Sequence, residues 1–75
     1  MSNTLLDVKG LACPMPIVKT KKAMNELQVG EVLEVHTTDK GSLADLTAWA
    51  RSSGHEMVEH EEANGIYKFW IRKGK

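Results

Sequence analysis

The chain has 75 residues, 41% hydrophobic and 27% charged, close to ordinary globular usage and consistent with one small folded domain over residues 1–75. Ten Lys and Arg balance ten Asp and Glu, which argues against a protein built around a phosphate backbone and makes nucleic acid a poor expectation as partner. One cysteine excludes an internal disulfide scaffold and a four-cysteine zinc site and suits a reducing cytoplasm, and no apolar run approaches the roughly 20 residues of a membrane span.

Residues 1–10, MSNTLLDVKG, lack the charged start and apolar stretch of a secretory signal. The first predicted element is a short strand over 4–9, with Leu6 and Val8 on one face. A helix follows over about 14–28, whose 3.6-residue spacing buries Ile17, Thr20, Ala23, Met24 and Leu27. Residues 31–37 alternate as a strand, Leu33, Val35 and Thr37 sharing a face against Val32, Glu34 and His36. A second helix is expected to begin near Ser42, with Ser42-x-x-Asp45 as a capping-box-like start and Gly54 as the residue just past its end. Leu43, Leu46 and Ala50 are its expected buried stripe. Segments 55–61 and 66–72 flank Asn64-Gly65 and read as a hairpin, because Asn-Gly supplies the positive φ angles of a tight turn. The order is β-α-β-α-β-β. It predicts an α/β two-layer sandwich, with a parallel first strand pair, an antiparallel last pair, and both helices on one face of a four-stranded mixed sheet.

Cys13 stands in Gly10-Leu-Ala-Cys13-Pro14-Met15-Pro16, between the first strand and the first helix. Pro14 disfavours the α conformation for the residue before it and suits the first helical position itself. Pro16 falls in the first turn, where backbone N–H groups have no intrahelical partner. The N–H groups of Met15 and Ile17 are then the donors expected to face a sulfur placed at the helix start. A thiol there feels the positive helix end, which favours the thiolate, with Lys19 and Lys22 adding a weaker pull. Most free cysteines are buried small hydrophobes, but a core cysteine needs no pair of prolines stiffening a helix start. A Cys-x-x-Cys dithiol is excluded, since Pro16 holds the second position. With no resolving cysteine, a modified Cys13 must hand its cargo to another molecule, which is the logic of a carrier.

The stretch LDVKGLACPMPIVKTKKAM resembles the signature of the TusA (SirA-like) family of small sulfur carrier proteins, centred on the Cys-Pro-x-Pro motif. The likeness continues through Val29-Gly30-Glu31, Asp39, Gly54-His55-Glu56 and Ile71-Arg72-Lys73. It implies the β-α-β-α-β-β sandwich and a persulfide on Cys13, supported by Gly10, Pro14 and Pro16. It also implies a cysteine desulfurase or rhodanese-type sulfurtransferase as donor and a downstream protein as acceptor. The relay would serve tRNA thiolation, molybdenum-cofactor assembly or sulfur metabolism. The chain would then be a sulfurtransferase-type carrier rather than a self-sufficient enzyme, with no cofactor and no direct membrane contact.

On the helical wheel, Met15 and Val18 fall on the outward side with Lys19, Lys22 and Asn25. They either pack at the edge of the core or form a small apolar contact for partner docking, with Lys19 and Lys22 steering acidic proteins. His36, His55 and His60 are too scattered for metal ligation, so no metal is expected. Glu59, Glu61 and Glu62 read as a solvated edge that discourages strand pairing. Trp70, with Lys68 and Arg72, is expected on the face opposite Tyr67, Phe69 and Ile71, where it covers the open sheet. Two rivals to the carrier remain: a non-catalytic protein- or RNA-binding module, and a single-cysteine redox sensor.

Overall fold

Alternation of apolar and polar side chains builds a four-stranded sheet, and two amphipathic segments build the helices that cover it. The computed structural model describes residues 3–12 and 15–75. Strand β1 spans Asn3–Asp7, helix α1 Met15–Asn25, strand β2 Val32–Thr37, helix α2 Ser42–Ser53, strand β3 Glu56–Ala63 and strand β4 Ile66–Arg72. The sheet order is β1-β2-β4-β3. β1 runs parallel to β2, and β4 is antiparallel to both β2 and β3. Both helices pack on one face, where Met24 and Leu46 join Val8, Leu33, Val35, Ala50, Phe69 and Ile71 in a single core. The expected α/β two-layer sandwich is therefore the observed architecture.

Strand β2 follows its pattern closely: Leu33, Val35 and Thr37 are buried, while Val32, Glu34 and His36 are only half-buried on the open face. Asn64 and Gly65 adopt φ of 55° and 78°, and Ala63 pairs with Ile66 across them, so the hairpin closes on the two-residue turn that Asn-Gly favours. β3 forms the sheet edge, and Glu59, Glu61 and Glu62 on it are exposed. Its register shifts between Met57 and Glu59, a bulge that leaves Val58 half exposed and that no sequence signal announced.

Several expected boundaries and faces are corrected. β1 ends at Asp7 rather than at residue 9 because the Asp7 carboxylate accepts the Lys9 N–H at 3.0 Å, starting a turn. Val8 nevertheless donates its N–H to the His36 carbonyl at 2.8 Å and is fully buried. Helix α1 ends at Asn25 rather than near 28. Glu26 and Leu27 bond back three residues, to Ala23 and Met24, a tightened final turn. Lys73 Nζ then donates to the Leu27 carbonyl at 2.7 Å, placing a cation at the negative helix end.

In α2 the expected capping box does not form. Gly41 is the N-cap, no side chain caps the helix, and the Ser42 hydroxyl lies 3.3 Å from the Thr37 hydroxyl in the protein interior. Ser42, Leu46 and Ala50 form the buried stripe, and Leu43 is 39% exposed. With Ser42, Leu46 and Ala50 on the buried face, Leu43 is turned toward solvent. The helix exit matches expectation. Gly54 has φ 82° and its N–H reaches the Arg51 carbonyl, while the His55 N–H reaches the Ala50 carbonyl, the pairing of a Schellman cap.

Candidate functional site

The turn leading from β1 into α1 contains the only thiol of the chain. Cys13 and Pro14 lie outside the described residues, and the site is defined by its flanks. On the strand side, Gly10 has φ 83°, a left-handed conformation that costs other residues about 1–2 kcal/mol. A Cβ there would meet nothing within 4 Å, so backbone geometry rather than space calls for glycine. The Gly10 N–H donates to the Thr38 hydroxyl at 2.9 Å, and Leu11 packs against the core.

On the helix side, the Met15 N–H donates to the Ala12 carbonyl at 2.9 Å. That bond brackets positions 13 and 14. It also corrects an expectation: the Met15 N–H is already engaged and is not a spare donor for a sulfur. Pro16 is buried in the first turn of α1, and its carbonyl accepts the Thr20 hydroxyl at 2.7 Å. A crevice between the starts of the two helices is lined by Pro16, Ile17, Asp39, Ser42, Asp45 and Leu46, which brings two carboxylates to the first turn of α1.

Met15 and Val18 are 40% and 49% exposed, and Lys19, Lys22 and Asn25 are exposed beside them. Lys19 and Lys22 line a depression of about 210 Å³ with Leu6, Ala23 and Glu26. This outward face thus combines apolar and cationic groups, tempered by one carboxylate.

Away from this turn, His36 Nε2 lies 2.6 Å from Glu34 Oε2 on the open sheet face. The hydrogen bond with His36 holds the Glu34 carboxyl below its usual range against the opposing effect of burial, with Trp70 and Lys68 contributing further. Trp70 stands opposite Glu34 in the β2–β4 register. His55 packs against Trp49, with ring centroids 5.3 Å apart, and its Nδ1 accepts the Gly74 N–H at 3.0 Å. Among the described residues no three His, Cys, Asp or Glu side chains converge to hold a metal ion, and no helix is long and apolar enough to cross a membrane. Thr38 was missed by reading the sequence, because a contact 28 residues distant in the chain leaves no periodic signal.

The fold and the turn together define a class: small α/β sandwiches with one cysteine in the segment joining the first strand to the first helix. Comparison with known proteins makes that class specific. The family model of sulfurtransferase TusA matches residues 4–73. The protein YrkI of Bacillus subtilis is 63% identical over 73 residues, covering 97% of each chain. YrkF of the same organism is 63% identical over 70 residues, and this chain spans only 38% of YrkF's length. The sulfur carrier protein TusA of Allochromatium vinosum is 44% identical over 91% of this chain and 90% of its own. Among solved structures, the SirA-like protein of Desulfitobacterium hafniense superposes with a TM-score of 0.83 at 31% identity, covering 96% of this chain and 99% of that one. The chain belongs to the TusA family.

Proposed function

We propose that this chain carries sulfane sulfur as a persulfide on Cys13, within a relay between proteins of a reducing cytoplasm. The observation that carries the reading is the position of the chain's only thiol, followed by Pro14 and Pro16, in the segment joining β1 to α1 of a member of the TusA family. The donor is the persulfide of a cysteine desulfurase or a rhodanese-type sulfurtransferase. The Cys13 thiolate attacks the terminal sulfur of that persulfide; the donor's S–S bond breaks and its thiolate leaves with the electron pair. A new S–S bond forms on Cys13, with no net oxidation. Transfer to the acceptor repeats the exchange in the other direction, which is why no resolving cysteine is needed. The acceptor belongs to a thiolation, cofactor-assembly or sulfur-metabolism route. Met15, Val18, Lys19 and Lys22 form the docking face, and no bound cofactor takes part. The chain is a carrier, and the catalysts are its partners.

Intact mass spectrometry after incubation with a desulfurase or rhodanese and its sulfur donor tests the reading. Wild type should gain one sulfur atom, removed by a reductant, and Cys13→Ser should gain none while keeping its fold. Gain of oxygen in place of sulfur would identify a redox sensor, and an unchanged mass a binding module. Sulfur on the Cys13→Ser variant would also overturn the assignment.

A further inference from the structure

We propose that Thr38, in the loop between β2 and α2, is a positioning residue for the Cys13 turn. The proposal rests on the reading of Cys13 as the sulfur-carrying group. Three backbone N–H groups in residues 9–11 have partners. Lys9 donates to the Asp7 side chain at 3.0 Å, Leu11 to the Val8 carbonyl at 3.3 Å, and Gly10 to Thr38 Oγ1 at 2.9 Å. The first two are local and shape the loop, whose Leu11 side chain also packs against the core. Among the described residues, only the Gly10 bond ties this stretch to a different element.

Thr38 is carried on a rigid platform. Its neighbour Thr37 is fully buried; the Thr37 hydroxyl accepts the Asp39 N–H at 3.1 Å and lies 3.3 Å from the buried Ser42 hydroxyl. The Ser42 N–H donates to the Asp39 carbonyl at 3.1 Å, and the Gly41 N–H to the Asp39 carboxylate at 3.4 Å. Every residue flanking Thr38 is thus held, while Thr38 itself is exposed and turns its hydroxyl to Gly10. Support of this kind from a neighbouring element helps to fix a reactive group. Gly10 is exposed with a left-handed φ, and its N–H takes its acceptor from outside the loop. Thr38 supplies that acceptor. By fixing the chain three residues before Cys13, Thr38 sets the surroundings of the thiol and with them the pH dependence of its reaction.

Alkylation of the intact chain by iodoacetamide across a pH series reads the effect directly, because Cys13 is the sole thiol. Thr38→Val removes the acceptor and keeps the shape. It should raise the midpoint toward the free-cysteine value of roughly 8.5 or slow the plateau rate about three- to tenfold, the scale of one neutral hydrogen bond. Thr38→Ser keeps the hydroxyl and should follow wild type. A Thr38→Val profile superimposed on wild type, or shifted downward, overturns the proposal, as does a Thr38→Ser profile that follows the valine variant. Sulfur loading is measured in parallel by mass. Failure of wild type to load would sink the carrier reading alone, since the alkylation profiles decide the role of Thr38 independently.

Discussion

At the scale of single residues, His55 shows how a side chain outside the candidate site imposes a pH dependence. Burial disfavours its charged form and Lys73 and Lys75 repel it, so its pKa lies below the ordinary 6.5. Its Nδ1 accepts the Gly74 N–H, a role that the doubly protonated ring cannot play. Between the folded and unfolded pKa values the unfolded chain binds more protons, so stability rises with pH there. The contribution is complete above about 6.5 and is lost as pH falls through the lower folded value. Glu34 acts with the same sign further into acid, from its reference value of 4.5 downward. Denaturant melts between about pH 7 and pH 5 should therefore show falling stability, and His55→Gln should flatten that slope. An equally steep slope in the variant would assign it to other groups. The sequence by itself singles out Cys13 as the sole thiol, followed by Pro14 and Pro16. It does not show the engagement of the Met15 N–H by Ala12, because the prolines indicate where a helix starts but not which acceptor its first donors find.

At the scale of elements, α1 has two faces with different tasks. Thr20 and Met24 are fully buried against the sheet, while Met15, Val18, Lys19 and Lys22 are exposed on the outward side. If that outward face receives partner proteins, its charge and its apolar contact should separate experimentally. Lys19→Glu combined with Lys22→Glu should slow sulfur transfer from a donor protein about tenfold at low salt and less at high salt, since exposed charges act through steering. Reaction with small thiol reagents should stay nearly unchanged. Val18→Asp should weaken partner binding with a stability change of about 0.5 kcal/mol or less, as expected of an exposed position. Transfer rates equal to wild type in both variants would move the docking face elsewhere. In α2, helix periodicity identified Leu46 and Ala50 correctly but took Leu43 for a core residue. A wheel gives the width of an apolar stripe, and its rotation is set by the tertiary packing that buries Ser42 with Leu46 and Ala50.

At the scale of the whole molecule, stability rests on one small core centred on β2 and β4. Phe69 is the largest fully buried side chain and sits on β4 between β2 and β3, touching the core from the middle of the sheet. Phe69→Ala should cost about 3–5 kcal/mol, enough to unfold much of a domain this size. Trp70→Ala, on the open face, should cost markedly less. Urea denaturation of the two variants makes the comparison, and equal losses would contradict a core confined to the helical face.

Strand alternation, the Asn64-Gly65 turn, the Gly54 exit and the proline-flanked cysteine are all readable from the chain, because each depends on residues within a few positions of one another. The insertion of β4 between β2 and β3, the bulge at Val58, the inward turn of Ser42 and the bond from Gly10 to Thr38 are set only when distant segments meet. The Thr37–Ser42 and Gly10–Thr38 contacts join residues 5 and 28 positions apart, the β2–β4 pairs are more distant still, and all depend on sheet order and helix rotation. Local pattern carries the identity of each element, while the bond from Gly10 to Thr38 reaches a neighbouring loop that only the assembled sheet brings within range.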